Sequence, residues 1–325
     1  PTSRSPDDLL HLQLTSGSTA APKAAALSHR AVISNIVLTA DAGEGDVRLN
    51  RGMLWLPLFH DMGLISMLSS LYHNCDLVLQ PPEDFILNPM SWMTSISNHR
   101  CTATAAPNFA LAYCTRRFRP DLLQGVDLQC LRTLVVGAEK VHLSTLRCFA
   151  DTFEPYGFTS DAFRPSYGTA ELTLAVTIPR RRSGGSLGGH VRWDVRRLHL
   201  TRSSDDDEIN STNEFSPTER LVSLGEPLTG TVIEVRGHGG AVLPDGEAGE
   251  VFVRSPCVME GYFQDPDATA SVLRDGFYAT GDFGYLKGGE LYLVGRIKEL
   301  IILRGRNYPP HEFEECALDT GRVDA

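Results

Sequence analysis

Short apolar segments alternate with longer amphipathic segments from Leu9 to about Ile178 of the 325-residue chain. The alternation predicts strands at Leu12–Leu14, Met53–Leu56, Asp76–Leu79, Cys101–Ala105 and Leu131–Val136, and helices at Ser28–Ala40, Met62–Tyr72, Asn88–Ser97, Phe109–Phe118 and Leu143–Phe153. Strands that alternate with helices form βαβ units around a largely parallel sheet. Such sheets bind ligands beyond the carboxyl ends of their strands. We therefore expect a site in the loops after Leu14, Leu56 and Val136.

The character of the sequence changes twice after this region. Residues 180–220 hold a basic, glycine-rich run and then an acidic, polar run, which indicates a polar insertion or flexible loop; a solvated segment without function is an equally good interpretation. Residues 221–295 carry short alternating runs punctuated by Gly and Pro, typical of a small, mostly antiparallel subdomain. The predicted organisation is an α/β core in 1–179, the insertion in 180–220, a β-rich subdomain in 221–295 and a final segment in 296–325.

Composition excludes several classes of function. The formal net charge of −10 argues against a nucleic-acid partner, because phosphate backbones require a basic surface. No apolar run is long enough to span a bilayer. The seven cysteines form no C-x-x-C pair, and the first residues contain no apolar signal core, so we expect a reducing, cytoplasmic setting.

The stretch QLTSGSTAAPKAA, residues 13–25, places several hydroxyls around one glycine. Hydroxyl and backbone N–H groups in a strand-to-helix loop form an anion site, to which Lys23 would add a mobile positive charge. Pro22 and Ala24 rule out a Walker A loop. Ala20 and Ala24 also stand where glycine would leave the backbone more adaptable, so we expect weaker but not abolished phosphate contact. The alternative interpretation is a polar turn that caps a helix.

Two further motifs could also serve a nucleotide. SYGTAE, residues 166–171, offers the aromatic face of Tyr167 and the carboxylate of Glu171, which could hold Mg²⁺. A core tyrosine beside a capping glutamate explains that motif equally well. YATGD, residues 278–282, places Asp282 on a tight turn where it could accept hydrogen bonds from both ribose hydroxyls, and Arg296 could reach the same sugar or its phosphate. A structural Asp–Arg pair is the alternative there.

The segment LFHDMG, residues 58–63, puts His60 beside Asp61, which is compatible with acid–base chemistry. Adjacent loop residues rarely point at one another, and no serine in a G-x-S-x-G turn accompanies them. We therefore do not expect a hydrolase triad.

The order of these motifs resembles that of the adenylate-forming enzymes, which include acyl-CoA synthetases, peptide-synthetase adenylation domains and luciferase. Between about Leu10 and Glu314 the chain carries, in order, TSGSTAAPK, LFHDMGL, VVGAEKV, SYGTAE, YATGDFGYL and GRIKELIILRGRN. Within that superfamily, PLFHDMGLI, the block from VVGAEKV to SYGTAE, and LIILRGRNYPPHEFE most resemble the fatty acyl-AMP ligases. The resemblance implies an α/β core with a mainly parallel sheet, incomplete at its start, then a small β-rich subdomain, with the small C-terminal domain essentially missing.

The resemblance implies a reaction and its partners. A fatty acid would be activated by ATP to an acyl-adenylate with release of pyrophosphate, and then transferred to the phosphopantetheine arm of an acyl carrier protein, in some cases within a polyketide or peptide synthase. ATP and Mg²⁺ are the implied cofactors. The alternatives are an acyl-CoA synthetase and a truncated or degenerate nucleotide- or acyl-binding module. In the family a C-terminal lysine contacts the carboxylate and α-phosphate; no lysine follows Lys298 here, so we expect this stretch alone to adenylate poorly.

The resemblance also implies a role for each matching residue. The loop for the β- and γ-phosphates corresponds to Thr15, Ser16, Gly17, Ser18, Thr19 and Lys23. The adenine and ribose pocket corresponds to Gly137, Ala138, Glu139, Ser166, Tyr167 and Gly168, with Tyr167 packed on adenine. The remaining matches are Glu171 for Mg²⁺, Asp282 and Arg296 for ribose, His60 beside the acyl pocket, and Lys298 at the hinge of the C-terminal domain. The catalytic residues implied are Lys23, Glu171 and His60.

Overall fold

The computed structural model describes residues 4–15, 22–43, 50–180, 191–197, 218–299, 301–303 and 306–308. The helices of these residues are α1 His29–Ala42, α2 Asp61–Tyr72, α3 Pro82–Leu87, α4 Met90–His99, α5 Asn108–Arg116, α6 Leu143–Phe153 and α7 Pro266–Val272. Short 3₁₀ turns lie at Pro120–Leu123, Glu154–Tyr156, Ser160–Ala162, Ala170–Leu172 and Ile297–Glu299.

The strands begin with β1 Leu9–Leu14, β2 Ala24–Ser28, β3 Arg51–Leu54, β4 Asp76–Leu79, β5 Ala103–Pro107, β6 Thr133–Gly137, β7 Phe163–Pro165, β8 Tyr167–Gly168, β9 Ala175–Ile178 and β10 Trp193–Arg197. They continue with β11 Thr218–Val222, β12 Glu226–Pro227, β13 Val232–Arg236, β14 Gly249–Arg254, β15 Gly261–Tyr262, β16 Leu273–Arg274, β17 Phe277–Lys287, β18 Glu290–Arg296, β19 Ile301–Leu303 and β20 Arg306–Tyr308.

A five-stranded parallel sheet, in the order β4-β3-β5-β6-β7, forms the centre of the first half. This confirms the predicted α/β class. The bounds of β4 and α6 match the prediction, and the other predicted strands and helices of this half agree to within a few residues. Helix α6 buries Leu146, Phe149 and Phe153 against the sheet, as its 3.6-residue spacing requires.

The prediction of a strand-to-helix loop after β1 is wrong. Strand β2 intervenes and pairs antiparallel with β1 on one side and with β15 on the other. Its sequence, AAALS, is rich in alanine, a helix former, so local preference gave no sign of a strand. Burial of Ala25 and Leu27 stabilises it in the sheet. Ser28 does cap α1 as predicted, because its side chain accepts the Ala31 N–H.

The predicted β-rich part is present as an antiparallel sheet in the order β13-β14-β17-β16, with β18 paired to β17. Of the region predicted as an insertion, residues 181–190 and 198–217 lie outside the described residues. The flanking strands β10 and β11 pair antiparallel. Ion pairs join Arg192 to Glu290 at 2.7 Å and Asp194 to Lys287 at 2.8 Å. The described part of this region is therefore bound to the sheet beside it.

No helix within the described ranges is both long enough and apolar enough to cross a membrane.

Candidate active site

A cavity of about 790 Å³ opens where the carboxyl ends of the parallel strands meet the β1–β2 hairpin and the antiparallel sheet. Its size is typical of small-molecule sites. Charged side chains line the outer part, among them Lys23, Glu171 and Arg296, whereas the part along the parallel sheet is lined by uncharged residues. We call the part lined by charged side chains the outer end of the cavity, and the uncharged part along the parallel sheet its inner end.

Tyr167, Asp282 and Arg296 form one bonded cluster beside the cavity. The register of β17 and β18 sets Arg296 directly opposite Asp282, and its Nε lies 3.2 Å from Asp282 Oδ1. The hydroxyl of Tyr167 donates to Asp282 Oδ2 at 2.6 Å. Asp282 is buried, and this burial raises its pKa, although Arg296 and Tyr167 partly offset the effect. The Asp–Arg pair read from the sequence thus exists and includes a buried tyrosine.

The carboxylate of Glu171 is held at the cavity wall by Tyr262, whose hydroxyl donates to Oε1 at 2.8 Å. The main-chain carbonyl of Glu171 accepts the Met259 N–H at 2.8 Å. Glu171 has no ion-pair partner among the described residues. Lys23 Nζ lies 4.8 Å from the centre of the Tyr262 ring, a cation–π contact. Tyr262 therefore contacts both Lys23 and Glu171. The sequence analysis did not identify Tyr262, because it lies in a two-residue strand with no motif around it.

The backbone next to Glu171 is strained. Thr173 has φ 71° and ψ −56°, and the Leu174 N–H donates to the Leu172 carbonyl at 2.9 Å, which defines a classic γ-turn. A β-branched residue in this conformation is an outlier, which surrounding contacts must hold in place. Thr173 Oγ1 donates to the Cys257 carbonyl at 2.8 Å, and the fully buried Asn35 amide donates to the Ala175 carbonyl at 2.8 Å.

His60 and Asp61 are in contact, so the expectation that adjacent residues would not face one another is wrong for this pair. His60 Nδ1 lies 2.7 Å from Asp61 Oδ1. The same carboxylate oxygen accepts the Met62 N–H at 2.6 Å, because His60 occupies the N-cap and Asp61 the first turn of α2. The hydrogen bond with Asp61 raises the pKa of His60. Both residues line the cavity.

The other predicted residues fall into three groups. Thr15, Gly137, Ala138, Ser166, Gly168 and Lys298 line the cavity, and Ala138 has a φ of 64°, unusual for a residue with a Cβ. Glu139 is exposed and accepts the Phe109 N–H instead of lining the cavity. Ser16, Gly17, Ser18 and Thr19, with Ala20, lie outside the described residues.

Ala24, where glycine seemed preferable, is the first residue of β2 and does not have a positive φ. Alanine at this position therefore causes no backbone strain. The Thr15 N–H donates to the Lys23 carbonyl at 2.8 Å, which closes the base of the hairpin loop.

The model of the AMP-binding enzyme family matches residues 1–263. A putative acyl-CoA synthetase of Caulobacter vibrioides is 36% identical over 96% of this chain and 54% of its own length. The medium-chain-fatty-acid–[acyl-carrier-protein] ligase JamA of Moorena producens is 35% identical over 95% and 52%. The chain therefore spans about half the length of these curated relatives.

Solved structures give the same result. The fatty acyl-adenylate ligase of L. pneumophila, in complex with acyl adenylate and pyrophosphate, superposes with a TM-score of 0.79 at 32% identity, covering 98% of this chain and 56% of that one. The fold is thus that of the core of adenylate-forming enzymes, as the resemblance implied. With the family model matched over most of its length, the chain belongs to the AMP-binding enzyme family.

Proposed function

We propose that the protein activates a fatty acid with ATP, forming an acyl-adenylate and pyrophosphate, and passes the acyl group to an acyl carrier protein. The observation that carries this proposal is a single cavity that joins Tyr167 and Arg296, both bonded to the buried Asp282, to an uncharged channel along the parallel sheet. A nucleotide requires polar and charged partners such as this cluster, and an acyl chain requires an uncharged channel. JamA and the L. pneumophila ligase, both similar to this chain, support the same reaction.

In this proposal the Tyr167–Asp282–Arg296 cluster binds the nucleoside. Oδ2 of Asp282 accepts a hydrogen bond from Tyr167, and Oδ1 forms the ion pair with Arg296. Each oxygen has a further lone pair that could accept a hydrogen bond from a ribose hydroxyl. The ring of Tyr167 packs on adenine. The side chain of Arg296 is half exposed and remains accessible to phosphate. Gly137, Ala138, Ser166 and Gly168 complete this end of the pocket.

The donor set fits a magnesium ion that is bound mainly through phosphate. Glu171 is a buried carboxylate at the cavity wall with one hydrogen bond and no cation partner among the described residues. No cluster of three or more potential ligands is present in the described part of the chain. Mg²⁺ typically binds one or two carboxylates together with substrate phosphates, so Glu171 alone would be a sufficient protein ligand. When bound, the ion would offset negative charge on the phosphates.

The protein residues then orient the substrates for in-line attack of the fatty carboxylate on the α-phosphorus, with pyrophosphate as the leaving group. Lys23, placed on Tyr262, supplies positive charge near the loop that begins at Thr15. We assign that loop, including Ser16–Thr19, to the β- and γ-phosphates. His60, held by Asp61, lies between the nucleotide end and the channel, where it orients the carboxylate. No protein nucleophile is required.

We further propose that residues 1–179, 180–220, 221–295 and 296–325 act as the core, insertion, β-rich subdomain and hinge segment of the longer enzyme, with Lys298 at the hinge. A cytoplasmic location, where ATP and carrier proteins occur together, is part of the proposal.

ATP–pyrophosphate exchange by the full gene product, measured with fatty acids of four to eighteen carbons, tests the proposal. Exchange that depends on fatty acid and Mg²⁺ supports it. Absence of exchange with every acid, under conditions where the protein is folded and binds ATP, contradicts it and favours a binding module.

The product separates this function from that of an acyl-CoA synthetase, which the Caulobacter relative's description makes the second candidate. Acyl-AMP that persists in the presence of CoA but is consumed by a phosphopantetheinylated carrier protein supports the ligase. Formation of acyl-CoA at a comparable rate favours the synthetase.

A further inference from the structure

The inner part of the cavity follows one face of the parallel sheet for the whole length of β6. Thr133, Val135 and Gly137 all line it, because alternate residues of a strand face the same side. The strand register places Thr133 beside Ala103, and Ala103 beside Gly52, so these three residues form one row at the inner end. Four residue steps separate this row from Gly137, a distance of about 13 Å.

Helix α2 gives a second measure of the same channel. Met62 lies against Gly137, because its Cε is 3.8 Å from the point where a side chain of Gly137 would begin. Met62 therefore marks the outer end. Ser70 Oγ lies 3.5 Å from the position of a Cβ built on Gly52, so Ser70 marks the inner end. Eight helical residues separate the two, or about 12 Å. The two measures agree on the length of the channel.

The chemistry of the lining changes along this length. The middle is mainly apolar, with Leu54, Ile65, Ala105 and Val135, and also includes Ser66 and Thr104. The inner end is polar but uncharged, with Asn50, Ser69, Ser70 and Thr133. The charged lining residues come from the hairpin, from the start of α2 and from the chain after Ala170; in the described structure, none comes from strands β3–β6.

The inner hydroxyls retain hydrogen-bonding capacity. Ser70 Oγ donates to the Ser66 carbonyl at 3.2 Å, which leaves its lone pairs available to accept a hydrogen bond. Thr133 Oγ1 has no hydrogen-bond partner among the described residues. A ligand hydroxyl could therefore donate to Ser70 and accept from Thr133. Arg132 contacts this lining from outside the cavity, with its Nη2 3.5 Å from Asn50 Oδ1.

We propose that the inner end is a subsite for an uncharged hydroxyl group at the far end of the acyl chain. Carbon–carbon bonds of about 1.5 Å at about 111° advance a chain by about 1.25 Å per carbon, so 12–13 Å accommodates roughly ten carbons. The preferred substrate class is then a medium-chain acid with a terminal hydroxyl. This inference rests on the proposed acyl-adenylating function.

The test compares decanoic, 10-hydroxydecanoic and hexadecanoic acids as substrates of the full gene product, with kcat/KM for ATP–pyrophosphate exchange as the measurement. We expect 10-hydroxydecanoic acid to exceed decanoic acid by about five- to thirtyfold, the range that one or two net hydrogen bonds of about 1 kcal/mol each provide. Hexadecanoic acid, which is longer than the channel of about 12–13 Å, should be a poorer substrate than decanoic acid. Equal or better use of decanoic acid would overturn the proposal.

The double variant Ser70→Ala, Thr133→Val removes both hydroxyls with little change in volume. It should abolish the preference for 10-hydroxydecanoic acid, and a Tm close to that of the wild type shows that the variant folds. The control is Thr115→Val on α5, whose hydroxyl donates to the Leu111 carbonyl and does not line the cavity. A preference that survives the double variant contradicts the subsite. Absence of exchange with every acid would instead contradict the proposed function.

Discussion

The two ends of the cavity are built in different ways. At the outer end, Tyr167 and Glu171 come from one motif, and side-chain hydrogen bonds join them to Asp282 and Tyr262 in distant segments. At the inner end, the lining comes from regular strands and one helix, where backbone register alone sets each position. Changes at the outer end therefore break a network, whereas changes at the inner end alter only the shape and polarity of the channel. We expect the first to affect the rate of the reaction and the second to affect the choice of acid.

The largest effect is expected from Glu171→Gln. Glutamine can still accept the Tyr262 hydroxyl, so the fold should be retained, but the charge that Mg²⁺ requires is lost. We expect acyl-AMP formation to fall by about 100-fold or more, as when one electrostatic group of an active site is removed. The measurement is the rate of acyl-AMP formation at a subsaturating and at a saturating Mg²⁺ concentration. Wild-type rates at both concentrations would exclude Glu171 as the metal ligand.

Asp282→Asn should weaken the use of ATP but raise the thermal stability of the fold. The KM for ATP should rise sharply because the ribose acceptor and the Arg296 pair are weakened. Burial raises the pKa of Asp282, so this group adds stability below the ordinary aspartate pKa and loses it as pH rises through the folded value. At pH 7.5 asparagine should therefore raise Tm by roughly 1–3 °C. The gain should shrink as pH falls toward 4, and a lower Tm at pH 7.5 would contradict the assigned cause.

A smaller effect is expected from Thr173→Ala. This change removes the buried hydrogen bond to the Cys257 carbonyl but leaves a residue with a Cβ in the γ-turn. We expect a loss of about 1–2 kcal/mol in the free energy of unfolding, measured by urea denaturation. Thr173→Ser, which keeps the hydroxyl and likewise loses the buried methyl group, is the matched control and should lose about 1 kcal/mol less than Thr173→Ala. Equal losses in the two variants would show that the hydroxyl does not hold the turn.

The smallest effect is expected from Asp61→Asn. Asp61 raises the pKa of His60, so the pair stabilises the fold fully below about pH 6.5 and less as pH rises through the raised value. The His60 side chain is 45% exposed, which limits the contribution to less than about 1 kcal/mol. An NMR titration of the His60 ring should show its pKa fall in the variant. An unchanged titration would mean that Asp61 acts only on the Met62 N–H.

The comparison also shows where sequence reasoning succeeds. The periodic helix α6 and the largely apolar strand β6 were predicted closely, because the residue types that determine their burial follow one another in the sequence. Strand β2 was missed because its alanines favour a helix locally and only pairing with β1 and β15 makes it a strand. Tyr262 was missed for a related reason, since its importance comes from the distant Glu171 and Lys23.

By itself, the sequence determined the α/β class and the order of the motifs, because both follow from residue types at short spacing. It also singled out Tyr167, Glu171, Asp282 and Arg296 as candidate site residues, whose roles stay predictions. Only the tertiary structure decided that Asp282 is bonded to both Tyr167 and Arg296, that His60 and Asp61 touch, and that Glu139 is directed away from the cavity. It alone placed the side chains of Ser70 and Thr133 together at the inner end of the channel. These features depend on strand register and on contacts between segments up to 115 residues apart, which no local pattern encodes.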